Sequence, residues 1–200
     1  MSVDTIDRIG SPPYPIWKLT VQDYHRMIDA GVLGEDDRVE LLEGFLVPKM
    51  THSPLHDGTI QRIVKVLRRN LRDPWDLRIQ SAVTTDDSES EPDLAIVRTD
   101  ESDFLVRHPS SDDIGLLIEV ADSMLQQDRQ GKARLYARAG IVEYWIVNLR
   151  DRQLEVFREP SGPTDAPTYA RALVLKPEES VELRLDGQVI ATIPVAELLP

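Results

Sequence analysis

An α+β fold around a mixed β-sheet is what this 200-residue sequence predicts, from three observations. The stretch "TIQRIVKVLRRNLR" carries Ile60, Ile63, Val64, Leu67 and Leu71 on one stripe at helical spacing. After it, "DLRIQSAVT", "PDLAIV" and "IGLLIEV" read as strands, the last apolar enough to lie centrally in a sheet. A helical run from about Leu125 to Ala139 then separates these from one more strand, "IVEYWIVN". The core order is helix, three strands, helix, strand over about residues 55–150, and the whole chain, 1–200, is expected to form one domain.

Ahead of the core, "SPPYP" reads as an extended arm. Thr20 stands where a helix cap belongs, before Val21, Tyr24, Met27 and Ile28 at helical spacing, with Asp23 in the first turn and Gly31 and Gly34 at the exit. "RVELLEGFLVPKM" reads as two short strands turning at Glu43-Gly44, so a helix and hairpin occupy about residues 18–50. The acidic run "DDSESE" is expected to be a turn or an exposed loop. Gly140 is a natural stop for the second helix. From about Gln153 to the end the pattern is strands with polar turns, a β extension of the core that includes a turn at Asp186-Gly187. Pro160, Pro163 and Pro167 there suggest a mobile loop.

A formal net charge of −12 repels phosphate backbones, so strong nonspecific nucleic-acid binding is not expected without a local basic patch or metal ions. The chain has no cysteine, which excludes disulfides and thiolate metal sites and fits a reducing compartment. No apolar signal region opens it, and no run of about 18 apolar residues occurs, so the expected place is the cytoplasm, without membrane contact.

Glu119 sits inside the most apolar strand, where an unpaired carboxylate must be paired, protonated or bound to a metal. Asp93 opens "DLAIV" directly after Pro92, whose missing N–H suits a strand start. Neighbouring strands lie about 4.8 Å apart, so in the right register the two acids reach one Mg²⁺. At about 100° per residue, Leu125, Asp128, Lys132, Leu135, Tyr136 and Ala139 share one helix face, which turns Lys132 toward the interior. Taken singly, each residue has a structural alternative. Glu119 reads equally as a strand-edge acid reaching solvent, Asp93 as a turn residue, and Asp128–Lys132 as an i, i+4 surface pair. Together they are harder to dismiss, because each alternative must hold separately.

Arg62, Lys65, Arg69 and Arg72 follow i, i+3, i+7, i+10 on the first core helix with no acid among them. They form either a phosphate-contacting stripe or the helix's solvated back.

"EPDLAIV", "LLIEVADS" and "DRQGKARLYARAGIVEYWIVN", with "LTVQDYHRMIDAGVLGEDDRVELLEG" and "SPLHDG" upstream, resemble the Uma2 (DUF820) family, a branch of the PD-(D/E)xK restriction-endonuclease-like superfamily. The resemblance covers about residues 15–160 and rests on the combined pattern. It implies a restriction-endonuclease-like core with a central four-stranded mixed sheet flanked by helices, Asp93 and Glu119 as metal-binding carboxylates, and Lys132 as the superfamily's lysine. In the common motif that lysine lies two residues after the acid, where this chain has Ala121; similar family members carry it on the following helix, at the place of Lys132. Gln80, Glu40 and His56 match recurring family positions; Gln80 is expected to line the site, whereas the match gives Glu40 and His56 no chemical role.

The activity so implied is a Mg²⁺- or Mn²⁺-dependent endonuclease hydrolysing DNA, with the metal on Asp93, Glu119 and the Val120 carbonyl and with Lys132 assisting water attack. A homodimer is plausible for such an enzyme, since cutting both strands of a duplex usually needs two sites. Two other readings stay open: a non-catalytic nucleic-acid- or protein-binding module on the same fold, and another paired-carboxylate hydrolase such as a glycosidase. An aromatic content of 6% argues weakly against a sugar site.

Overall fold

The protein is described by a computed structural model over residues 14–34 and 36–200; most of the expected "SPPYP" arm, Ser11–Pro13, lies outside the described residues. Thr20 caps α1 (Val21–Asp29) with a reciprocal pair of bonds, its hydroxyl accepting from the Asp23 N–H while the Asp23 carboxylate accepts from the Thr20 N–H. β1 (Val39–Leu42) and β2 (Phe45–Pro48) form the expected hairpin. Its turn needs positive φ at Glu43 (51°) and Gly44 (84°), and a Cβ on Gly44 would stand 2.7 Å from the Lys18 Cβ.

α2 (Pro54–Asn70) starts on Ser53 and buries Ile60, Ile63, Val64 and Leu67, as the stripe requires. β3 (Trp75–Ile79) follows, and the β-like run then breaks at Gln80 (φ 44°) into a separate short strand, β4 (Val83–Thr84). "DDSESE" departs from expectation. Ser88, Glu89 and Ser90 are buried and the last two form β5 (Glu89–Ser90), which joins β4 and the hairpin in a four-stranded sheet ordered β2-β1-β5-β4. The burial is tolerated because the Glu89 carboxylate accepts from Thr84 and lies 2.8 Å from His25, neither adjacent in sequence.

β6 (Leu94–Arg98) and β7 (Ile114–Ala121) are antiparallel; the second is buried at every position. The second helix contains a turn with a different hydrogen-bond register. α3 (Leu125–Gln127) leads into a π-helical turn at Asp128–Lys132, and α4 (Ala133–Arg138) completes it before Gly140. β8 (Glu143–Asn148) returns parallel to β7, so this unit is a β-α-β crossover.

β9 (Gln153–Pro160) and β10 (Tyr169–Leu175) continue the same sheet, which becomes six-stranded and mixed, ordered β10-β9-β8-β7-β6-β3. Half of the expected C-terminal extension therefore belongs to the main sheet, because β9 buries Leu154 and Val156 beside β8. Pro160 ends β9, and the turn after it is tied by the Ser161 N–H bonding the Thr168 carbonyl.

β11 (Ser180–Leu185) and β12 (Gln188–Pro194) pair separately, and α5 (Val195–Leu198) follows. With α2 they cover one face of the six-stranded sheet, burying Val181, Leu183 and Ile193 against Leu116, Ile118 and Trp145. Gly115 permits this approach: a Cβ there would lie 2.7 Å from both Leu185 and Trp75. The other face carries Leu117, Tyr144 and Ile146 under Leu135, Tyr136 and Ala137 of α4. By strand alternation Glu119 shares the Leu117 face, the one that α4 covers. Among the described residues no helix is long and apolar enough to cross a membrane.

Candidate functional site

Asp93 lies one residue before β6 and Glu119 near the end of β7. The ladder pairs Leu94 with Ile118, so continuing its register one step sets Asp93 opposite Glu119 and Pro92 opposite Val120. Pro92 has no N–H to place there. The Val120 N–H donates instead to the Asp93 side chain, Oδ2, at 2.8 Å. In an extended strand the carbonyl of a residue points to the same edge as its N–H, so the Val120 carbonyl faces this gap too.

Lys132 reaches Glu119 from the helix: its Nζ donates to Oε1 at 2.8 Å, and the Tyr136 hydroxyl donates to that same oxygen at 3.0 Å. The ion pair is buried, with the two side chains 12% and 5% exposed. Among the described residues Lys132 makes no salt bridge to Asp128, so the i, i+4 surface pair is not what forms. The hydrogen-bond register widens here, the Ala133 N–H reaching the Asp128 carbonyl, and the wider turn carries Asp128, buried at 6% exposure, to the cavity wall.

A cavity of about 330 Å³ joins these residues to Glu40, His56 and Gln80. Every position expected to belong to the site lines it except those of the basic stripe. Glu40, on β1, is buried and accepts from the Glu91 N–H at 3.1 Å. His56, in the first turn of α2, places Nε2 3.1 Å from Asp93 Oδ2 and Nδ1 3.3 Å from Asp57 Oδ1. Gln80 Nε2 lies 3.0 Å from Nδ1 of His52, whose ring packs on His56 with centroids 4.2 Å apart. His52, Asp128 and Tyr136 had no site role from sequence. Two histidines spaced i, i+4 across a helix start, and an acid, a lysine and a tyrosine at successive i+4 positions, were the signals available.

The charges are unequal in their support. Burial works against the charge on Asp93, yet His56, the Val120 N–H and Lys132 hold its pKa below the ordinary range. Burial pushes Glu119 above the ordinary carboxylate range and Asp93 and Asp128 add repulsion, against which the Lys132 ammonium favours its charged form. Asp128 is raised by burial to about 6. Burial opposes the charge on Lys132, but Glu119 and the other anions around it keep it firmly protonated. His56 is likewise raised, because Asp93 and Asp57 outweigh its burial.

Arg62, Lys65 and Arg69 are exposed on the back of α2. Arg72, exposed as well, lies past its end, because the chain turns extended at Leu71, so it does not continue the expected helical stripe. None of the four makes a salt bridge among the described residues. At a rise of about 1.5 Å per residue, Arg69 stands about 20 Å along the helix from His56. The cations that do line the cavity are Arg38 and Lys49, with Lys132 at its floor.

Comparison with known proteins agrees with this architecture. A crystal structure from Anabaena variabilis, described as "a putative nuclease belonging to DUF820", superposes with a TM-score of 0.68 over 92% of this chain and 97% of that one. At 16% identity the likeness speaks for the fold alone. No curated protein matches. The Uma2 family model, described as "Putative restriction endonuclease", matches residues 21–196. That match spans all three sheets and every residue of the cavity named above, and on it this chain belongs to the Uma2 family.

Proposed function

We propose that the cavity hydrolyses phosphodiester bonds of nucleic acid, with DNA the expected substrate, as a metal-dependent endonuclease. The observation that carries this reading is the division of labour within each acid. Asp93 is held through Oδ2 alone and Glu119 through Oε1 alone, so among the described residues each keeps its second oxygen free of hydrogen bonds. Two free carboxylate oxygens and the Val120 carbonyl make a hard-oxygen donor set, which fits Mg²⁺ or Mn²⁺. When bound there, such an ion polarises a phosphoryl oxygen and lowers the pKa of water.

The chain's own residues do the rest. The Val120 N–H and His56 fix Asp93, and Tyr136 with Lys132 fixes Glu119, so the donors need little reorganisation. The Lys132 ammonium stands beside Glu119, placed to orient the attacking water and to stabilise negative charge growing on the phosphate. Arg38 and Lys49 offset the acidic floor for an incoming phosphate; Lys49 is paired to Glu91, whereas Arg38 has no carboxylate partner among the described residues.

Incubating the protein with single- and double-stranded DNA and Mg²⁺ or Mn²⁺, beside Asp93→Ala and Glu119→Ala, tests the reading. Each substitution is expected to reduce cleavage by more than the roughly 100-fold that loss of an outer metal-site partner costs. Cleavage unchanged in both variants would refute it. Metal binding by wild type without cleavage of any substrate would favour a non-catalytic binding module.

A further inference from the structure

The oxygen donors use only part of the cavity wall. His52, His56 and Asp93 offer ligand atoms that all lie within 4.8 Å of one another. We propose that these three residues form a nitrogen-donor position that takes a divalent first-row transition ion in preference to Mg²⁺, beside the oxygen-donor position and sharing Asp93 with it. The inference rests on the metal-centre reading above but on different donors.

His56 is the central residue. Its two ring nitrogens face different carboxylates, Nδ1 toward Asp57 and Nε2 toward Asp93. Metal-ligating histidines almost always give their second N–H to a carboxylate, carbonyl or water, which fixes the tautomer and aims the other nitrogen. Asp57 supplies that partner here. The ion then takes the place of the proton between His56 Nε2 and Asp93 Oδ2, and this proton leaves to solvent.

The 3.1 Å separation of those two atoms is already that of neighbouring ligands on one ion. Opposed ligands with bonds of about 2.1 Å stand about 4.2 Å apart, so in that arrangement a set lying within 4.8 Å needs a side-chain shift of no more than about 0.6 Å. His52 is held near by ring packing on His56 and by the Gln80 amide. Imidazole nitrogen suits Fe²⁺, Co²⁺, Ni²⁺ or Zn²⁺ far better than Mg²⁺, which is bound through oxygen.

The test is Co²⁺ added to the full-length protein in excess Mg²⁺. Proton NMR reads exchangeable imidazole N–H signals shifted outside the normal range, and calorimetry reads affinity. Wild type is expected to show at least one such signal. His56→Gln should lose it and bind Co²⁺ at least tenfold more weakly, about the loss typical of one metal-site partner, while Glu119→Gln keeps it. No Co²⁺ uptake against Mg²⁺, uptake without shifted imidazole signals, persistence of all signals in His56→Gln, or their loss in Glu119→Gln would each overturn the proposal. The wild-type spectrum decides even if a variant fails to fold. Absence of DNA cleavage, which bears on the nuclease reading, leaves this readout untouched.

Discussion

Two groups of buried acids lie along the same six-stranded sheet, and they are treated oppositely. On β8 and β9, Glu143 and Glu155 are each 4% exposed, and every one of their carboxylate oxygens is satisfied. Glu143 accepts from the Trp145 indole and from two guanidinium nitrogens of Arg158, at 2.6–2.9 Å. Glu155 accepts from Arg129, Asn148 and Gln153. At the cavity, Asp93 and Glu119 each use one oxygen, and no hydrogen bond reaches the Asp128 side chain among the described residues. Arginine forks saturate carboxylates two bonds at a time, whereas one lysine supplies a point charge. Solvent exposure is similar in both places; donor supply is not. Unspent acceptor capacity in a buried place is what a cation or substrate can use.

Stability measurements can break this contrast, and the largest effect belongs to the saturated end. Arg158→Ala leaves Glu143 buried with only the indole, and breaking such a pair costs about 3–5 kcal/mol. Urea denaturation reads this, and a drop below about 1 kcal/mol would contradict the structural role given to the pair.

A second, smaller difference concerns pH in metal-free protein. Burial works against the charge on Glu155, but hydrogen bonds from Arg129, Asn148 and Gln153 leave its pKa below the ordinary 4.5. Its contribution is present above that value and lost as pH falls through the folded one. Asp128 runs the other way. Its pKa rises from 3.8 to about 6 on folding, so the native state holds the extra proton, and stability falls as pH rises across that window. Thermal melts in chelator should show Asp128→Asn making this downward slope shallower, the remainder belonging to Glu119, whose pKa burial also raises, and Mn²⁺ should raise Tm more at pH 7 than at pH 5. A slope unchanged in Asp128→Asn would place the proton elsewhere.

The smallest effect tests the solvated back of α2. Removing Lys65 and Arg69 together should change stability by no more than about 0.5 kcal/mol. If the stripe binds phosphates, the salt dependence of DNA binding should flatten by about 0.9 in log–log slope for each phosphate no longer neutralised. An unchanged slope would leave Arg38 and Lys49 as the phosphate-binding cations.

Much of this was legible in sequence. The α2 stripe, the apolar β7 and the Asp186-Gly187 turn are local patterns with local causes, and each forms where its pattern lies. Lys132 on an apolar helix face was a contradiction that only an internal anion resolves, and Glu119 is that anion. Other parts had no local cause. The acids of "DDSESE" read as exposed because the groups that make Glu89 tolerable include His25, 64 positions away. The π turn leaves no mark on hydrophobic spacing, since it changes which carbonyl an N–H reaches and not which residues are apolar.

The order of the main core elements, their apolar faces and the candidacy of the two acids and the lysine are readable from residue types, because burial penalties and backbone periodicities act on each residue wherever its segment packs. Pairing was decided only by the folded chain. That β9 and β10 extend the main sheet, that Asp93 bonds the Val120 amide, and that His52, His56 and Asp93 draw together are outcomes of strand register and helix placement. They depend on which distant surfaces meet, and that is a property of the whole packed molecule rather than of any one stretch of it.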